Sequence, residues 1–483
     1  MMKYNNIKVA LLLATVLFAL SSCTKWLEVQ PEDKLTEVQL FTSEAGVRSA
    51  LNGQYIEWAE SPLYGNQLTM GTMEVLAQRY NIGTQHNRRQ WFSYNYADVG
   101  VASTIESIWN SAYVSIVNIN AFVAGLDKYK GNLAGKTDSL FRGEAIAMRA
   151  MMHFDVLRMF GPMYSTADSV LPSIPYYTKA STTINPLLNA NVVMDSILAD
   201  VKSSLGYLSN DPVRANGPMR IAVGDGNDFW RNRHQRLNYF AVKALEARIQ
   251  LYRGNKPAAL EAANAVIDQI GGYFPWVTSA AVLSNKDNPN RVFSNELLFG
   301  LFSIRMYETY RSIFAPEIAD AQILAPNDTR LKNTFEANEN DYRYNPSWVL
   351  PNVGSKSYKT FFKFADVVRT DSSFRYLIPL IRKSEMYYIA AECSTDPVKQ
   401  LEYINTVRFN RGLTALPATA NVTTELEKEY GKEFYGEGQM WFYYKRKNFT
   451  RILNGTTTTT TSYVNLSKLQ YVFPLPLDET RFR

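Results

Sequence analysis

Leu237–Ile270 reads LNYFAVKALEARIQLYRGNKPAALEAANAVIDQI, and its spacing decides the class of fold. Leu237, Ala241, Ala244, Leu245, Arg248 and Tyr252 recur at intervals of three or four residues up to Leu245 and again at Arg248 and Tyr252, which places them on one face of a helix. Gly254-Asn255-Lys256-Pro257 turns the chain, and Ala258 to Ile270 returns with Ala259, Ala262, Ala263 and Val266 on one stripe. Small side chains at the contact let two helices approach closely, so the unit is a helix hairpin.

The layout recurs on either side. Glu385 to Cys393, a turn at Asp396-Pro397, and Val398 to Asn410 repeat it, with Asp396 placed to cap and Pro397 in the first turn, where its missing N–H does no harm. Nearer the start, Ser103-Thr104-Ile105-Glu106 has the form of a capping box, followed by Ile105, Trp109, Ala112, Ile116, Ile119 and Val123. After a loop at Lys130 to Thr137, a helix predicted from Asp138 to Phe160 carries Phe141, Ala145, Met148, Met152 and Met159 and stops at Gly161-Pro162. Helix pairs with Ala at the contact and Gly, Asn or Pro in the turns resemble tetratricopeptide-type repeats of irregular spacing. A mostly α, solenoid-like scaffold follows.

Between the pairs lie long stretches of poor periodicity, at 61–99, 171–189, 212–233 and 273–370, dense in Pro, Gly, Asn and aromatic residues. Loops of this length in a folded domain usually carry function. Their rings are the candidate ligand-binding residues: Arg79, Tyr80, Trp91, Tyr94 and Tyr96 in one loop, Trp276 in another, then Tyr307, Tyr310 and Trp348. Flat rings stack on sugar rings or peptide side chains, although for any one of them core packing is an equal alternative. The six threonines of 456–461 read as surface filler.

Residues 1–23 address the chain. Lys3 and Lys8 precede the apolar run Val9 to Leu20, which is shorter than the roughly 20 residues a membrane-spanning helix needs. Leu20-Ser21-Ser22-Cys23 resembles a bacterial lipobox, making Cys23 the expected lipidation site and acyl chains the expected membrane anchor. The organisation is then a signal peptide over 1–22, a lipid-anchored linker over 23–35 and one body over 36–483, with an N-terminal part to about 230 and a C-terminal part from about 231. Cys393, the remaining thiol, lies in an apolar helical run and is expected to be buried rather than nucleophilic.

Composition narrows the chemistry. The 483 residues are 46% hydrophobic and carry 51 Lys and Arg against 45 Asp and Glu, with the two signs mixed along the chain, so nucleic acid is not an expected partner. Three histidines and two cysteines leave no framework for zinc or haem, and neither metal nor cofactor is expected. Gly-x-Ser-x-Gly, His-Glu-x-x-His and Gly-x-Gly-x-x-Gly do not occur. Gly131 to Thr137 has one residue too few between its glycines for a phosphate loop and no preceding strand, and Asp225 to Asp228 lacks the spacing of a calcium loop. No enzyme motif is present, and the alternative to binding is a lipid-anchored glycan hydrolase, which needs two carboxylates facing each other about 5 to 9 Å apart, a geometry that one sequence does not show. The charges Arg142, Glu144, Arg149, Asp155, Arg158, Glu385, Glu392, Arg408 and Arg411 interrupt apolar helices and are expected to be paired with one another or with neighbours.

Taken in order, several stretches resemble the SusD/RagB family of outer-membrane lipoproteins of Bacteroidetes-type bacteria. They are Cys23 to Pro31 after the lipobox, Leu40-Phe41, Ala50 to Tyr55, Trp109 with Tyr113 and Asn118 to Asn120, and Phe141 to Ala150 with His153 to Asp155 and Arg158 to Pro162. Arg382 to Glu392, Ile404 to Gly412, Glu433 to Arg446 and Phe473 to Pro476 extend the likeness to the end. The resemblance implies a mostly α, SusD-like fold in which tetratricopeptide-like helix pairs support long irregular ligand-binding loops. It also implies a non-catalytic protein, anchored on the cell surface, that binds a glycan or in some members a peptide. The implied partner is a SusC-like TonB-dependent transporter that receives the ligand. Met440 departs from the family pattern, which usually has Arg there, and puts a structural ion pair in doubt.

Overall fold

Helices α1 (Glu44–Trp58), α2 (Val99–Lys128), α3 (Gly135–Phe160), α4 (Ala190–Tyr207), α5 (Tyr239–Arg253) and α6 (Lys256–Ile267) frame the first part of the chain. They are followed by α7 (Met306–Ile313), α8 (Asp328–Thr334), α9 (Lys383–Cys393), α10 (Pro397–Phe409), α11 (Val422–Glu433) and α12 (Gln439–Lys447). These elements come from a computed structural model that describes residues 36–221 and 229–482. The readings made for Cys23, the lipobox and Asp225 to Asp228 fall outside the described residues. The fold is mostly α. Helices α2, α3, α4, α5, α6, α9 and α10 pack each on the next in that order, which gives the solenoid-like row its continuous core.

Local chemistry marks the ends of the hairpins. Asn238 accepts from the backbone N–H of Ala241 at 3.0 Å and starts α5, which ends on Gly254 at φ 88°, a left-handed position where a side chain is strained. Asn255 caps α6 with Pro257 in its first turn, and Asp396 accepts from Val398 at 2.9 Å to start α10. The box at Ser103 is not a cap. Asp98 begins α2 by accepting from Gly100 and Val101 at 3.0 and 3.1 Å, so Ser103 lies inside the first turns of a longer helix. An upstream carboxylate that reaches two free N–H groups satisfies more of the helix end than a serine.

The stretch 273–370 is not purely irregular. Strand β1 (Leu297–Phe302) pairs antiparallel with β2 (Leu377–Arg382), from Leu297 opposite Arg382 to Phe302 opposite Leu377. The run LLFGLF was its signal, since a short continuous apolar run suits a fully buried strand as well as a helix. A second ribbon, β3 (Arg451–Leu453) with β4 (Tyr463–Asn465), uses the threonine run as its connection.

The charges that interrupt the apolar helices are paired. Arg233, wholly buried, bridges Glu144 and Asp211, and Arg411 bridges Glu296 and Glu433. Arg149 holds Asp200, Arg158 holds Asp155, Arg142 holds Asp127 and Asp138, Arg408 holds Glu429, and Glu385 and Glu392 meet Arg248 and Arg446. Such pairs fix which segments meet more than they add stability, because desolvation offsets most of their attraction. Cys393 is buried, and burial pushes its thiol up to about 12, which keeps it protonated. Among the described residues no helix is long and apolar enough to cross a membrane.

Candidate ligand-binding site

β1 is buried along its length until its last residue, Phe302, whose ring is 45% exposed. The chain then makes its excursion over 303–376 and returns at Tyr376, where Ser303 N–H donates to the Tyr376 carbonyl at 2.9 Å. Tyr376 has φ 70°, a left-handed conformation that costs a non-glycine residue about 1 kcal/mol. That backbone geometry sets the Tyr376 ring 5.7 Å from Phe302, at 71°, and 4.8 Å from Tyr307 on α7. Three rings thus form a ledge at the open end of the ribbon.

Polar groups border the rings. Asp366 accepts from Nε and Nη2 of Arg375 at 2.9 and 2.8 Å, and the guanidinium lies over Tyr376 at 4.7 Å and over Tyr307 at 5.6 Å. Burial pulls the Asp366 carboxyl up, but the hydrogen bonds from Arg375 outweigh it and hold the group below its ordinary value. Burial, with the Asp366 charge beside it, raises the Tyr307 phenol, and burial raises that of Tyr310 against the pull of Arg291. Arg291 donates to the Ala365 carbonyl at 2.9 Å, and burial lowers it to about 10.

On the other side of Phe302 lies a cavity of about 440 Å³ with Asn52 and Ile56 of α1, Asn232, Gln235 and Arg236 on its walls. Its floor is rigid. The Tyr55 hydroxyl donates to Glu144 at 3.0 Å and accepts from Leu237 N–H at 3.0 Å, while Arg236 reaches Glu144 at 3.3 Å and also Asn52. Ring faces next to amide, guanidinium and carboxylate groups suit a ligand with apolar faces and many hydroxyls. Among the described residues no three His, Cys, Asp or Glu side chains gather as metal ligands.

Of the candidates drawn from sequence, Tyr307 forms the buried back of this ledge and Tyr310 lies next to it on α7, each 8% exposed. Tyr80, Trp91 and Trp348 offer a ligand no face, because each is at most 4% exposed. Trp348 stacks on Phe361 at 4.4 Å, Trp91 meets Phe473 at 5.7 Å and Tyr80 meets Tyr435 at 5.9 Å, so for these three the core reading replaces the ligand reading. Tyr94 donates to the Leu76 carbonyl at 2.8 Å and stacks on Trp441, and Tyr96 donates to the Gln470 carbonyl; both hydroxyls are occupied in holding loops. Trp276 is half-buried away from the ledge, 5.4 Å from Tyr387 with Lys383 over its ring. Arg79 donates to the Gly431 carbonyl, lies 3.9 Å over Tyr435 and opens on a different cleft. Phe302, Asp366, Arg375 and Tyr376 were missed. Phe302 was visible only as the end of an apolar run, and nothing local marks the other three.

Known proteins share this architecture. Residues 25–222 match a SusD-like family model described as starch-binding associating with outer membrane, and residues 319–480 match the SusD family model. SusD-like protein P38 of Formosa agariphila is 22% identical over 93% of this chain and 92% of its own length. A SusD superfamily protein from Bacteroides thetaiotaomicron superposes with a TM-score of 0.70 at 19% identity, over 91% of this chain and 98% of that one. A putative sugar binding protein from Bacteroides vulgatus gives 0.69 at 20% identity over 90% and 96%. Surface glycan-binding protein A from Bacteroides thetaiotaomicron gives 0.66 at 16% identity over 92% and 98%. Two models of one family match the chain on either side of its middle and the fold is shared over nine-tenths of its length, and on these grounds the chain belongs to the SusD/RagB family.

Proposed function

We propose that the protein is a cell-surface lipoprotein, anchored through Cys23, that captures a nutrient oligosaccharide and passes it to a SusC-like TonB-dependent transporter. The observation that carries this reading is the ledge in which exposed Phe302 and half-buried Tyr376 rest on buried Tyr307, beside a cavity walled by amide and guanidinium groups. Stacking on a ledge gives affinity tolerant of sugar identity, and the polar rim selects among hydroxyl arrangements. An open ledge also favours release, which handover to a transporter requires. Relatives described as a putative sugar binding protein and a surface glycan-binding protein support a glycan over a peptide.

Capture proceeds without turnover. A glycosidase needs one carboxyl that gives up a proton to the leaving oxygen, with a raised pKa. Asp366, the carboxylate at the ledge, is held ionised by Arg375 and is suited to accepting hydrogen bonds from hydroxyls. The test is calorimetric titration of the full chain in detergent with neutral polysaccharides and with peptides, followed by a reducing-end assay on the same samples. Saturable saccharide binding without new reducing ends is the expected result. Shortened product, or binding of peptides alone, overturns it.

A further inference from the structure

A second cleft, of about 620 Å³, opens between α8, α11, α12 and the β3–β4 hairpin. Five cationic side chains reach its wall, Arg79, Arg330, Lys428, Lys447 and Arg451, against one carboxylate, Glu427. Three of the five have counter-charges outside the cleft. Lys428 meets Glu425 and Glu336 at 2.8 and 3.1 Å, Lys447 lies 3.4 Å from Glu392, and Arg79 lies 3.7 Å from Glu74. Among the described residues Arg330 and Arg451 enter no ion pair.

Arg330 is the more telling of the two. It is half-buried, and burial together with the charge of Arg79 lowers it from its ordinary value, which means that two guanidinium groups share a partly desolvated space. Arg451 is exposed and stacks 4.6 Å over Tyr463, an arrangement that holds the plane of the guanidinium and keeps its N–H edge available. Burial pushes the Glu427 carboxyl up against the pull of Lys447, and this single carboxylate stands against the five cations. Met440 lines the floor where the family pattern usually has Arg, and leaves apolar surface below the cations. Like charges gathered in a cleft create a focused positive potential that an anion relieves.

We propose that this cleft binds the oxyanion substituent, carboxylate or sulfate ester, of a saccharide, so that the oligomer captured is an anionic one. Planar guanidinium groups match both oxyanions by paired N–H donation, and Tyr463 supplies a ring face beside them. The inference rests on the capture reading and extends it to a second contact, separated from the ledge by the buried rings of Phe314, Phe361 and Tyr435.

The full chain in detergent would be titrated with oligogalacturonate and its methyl-esterified form, with a sulfated galactan oligosaccharide and its desulfated form, and with an oligoglutamate peptide. The charged member of at least one pair is expected to bind at least tenfold more tightly than its neutral counterpart, with an advantage that shrinks as salt rises. Arg330→Gln and Arg451→Gln should each cut that advantage at least threefold while leaving the neutral form unchanged, and Arg330→Lys should retain part of it. Arg451 is exposed, so its variant serves if Arg330→Gln fails to fold. Equal binding of charged and neutral forms overturns the proposal, as does an advantage intact in both variants, no binding of any charged form, or arginine-dependent binding of the peptide alone. Failure of the neutral forms alone to bind counts against the ledge as an independent capture site and leaves the charge comparison standing.

Discussion

The ring of Phe302 meets that of Tyr376 at 5.7 Å and 71°, at the point where β1 and β2 run out of partners. Residues far apart in the chain thereby make one edge-to-face pair, and the outer ring keeps 45% of its surface in solvent. An aromatic contact of this kind contributes about 0.5–1.5 kcal/mol beyond burial. Phe302→Ala removes the exposed face on which a sugar ring would stack and should weaken saccharide binding about threefold to tenfold, while loss of the ring pair should move the melting temperature by no more than about 2 °C, since little core is removed. Calorimetry and thermal melting on the same preparation check both halves.

Trp348→Ala should behave in the opposite way. The ring is 2% exposed and stacked on Phe361, so its removal leaves a cavity and costs about 3–5 kcal/mol. Urea unfolding should show the loss in the midpoint, and weaker ligand binding in this variant would follow the unfolded fraction. A stable Trp348→Ala protein with impaired binding would return this ring to the site.

Arg411→Ala should be among the most damaging single changes. It removes the cation that Glu296 and Glu433 share, leaving two buried carboxylates short of a partner, at about 3–5 kcal/mol. Replacing an exposed cation such as Arg369, paired only with Asp371 at the surface, should shift the urea midpoint negligibly.

Acid should unfold the protein through its buried carboxylates. Burial alone would raise Glu429 and Glu392, but Arg343 and Lys432 around the first and Arg446 around the second hold each at about 2, below the ordinary 4.5. For a group depressed in the folded state the stabilisation is complete above the unfolded value and disappears as pH falls through the folded one. Urea midpoints should thus hold above pH 4.5 and fall steadily between pH 4.5 and 2. A midpoint unchanged at pH 3 would contradict this.

Gly438→Ala should be destabilising in spite of the small change. Gly438 sits at φ 72°, and an added Cβ would stand 2.2 Å from the Leu68 carbonyl oxygen, against backbone that cannot swing aside. Strain of this class amounts to about 1–3 kcal/mol before any clash is counted. Gly53, which has nothing within 4 Å of such a Cβ, provides the control, because alanine there should be neutral or mildly stabilising within α1.

The sequence by itself determined the helix pairs and their punctuation. Asn238, Gly254, Asn255 and Asp396 act on backbone groups within a few residues of themselves, so their effect is local and readable without a partner. Where two local signals compete, as Asp98 and Ser103 do at the start of α2, the one that satisfies more free N–H groups wins, and the predicted start moves by a turn. Residue type likewise told that the helix charges would be paired, though not that Glu144 would find Arg233 across 89 residues. Only the tertiary structure decided which rings face water. Tyr80, Trp91 and Trp348 have the same chemistry as Phe302 and Tyr376, and no neighbour in sequence distinguishes them. The difference arises because Phe302 and Tyr376 stand where β1 and β2 end and the sheet stops covering its rings, whereas Trp348 packs on Phe361 inside the excursion and Tyr80 and Trp91 pack on Tyr435 and Phe473 of distant segments. The gathering of Arg79, Arg330 and Arg451 around one cleft has the same origin, since helix packing and a hairpin bring together guanidinium groups that the chain order keeps hundreds of residues apart.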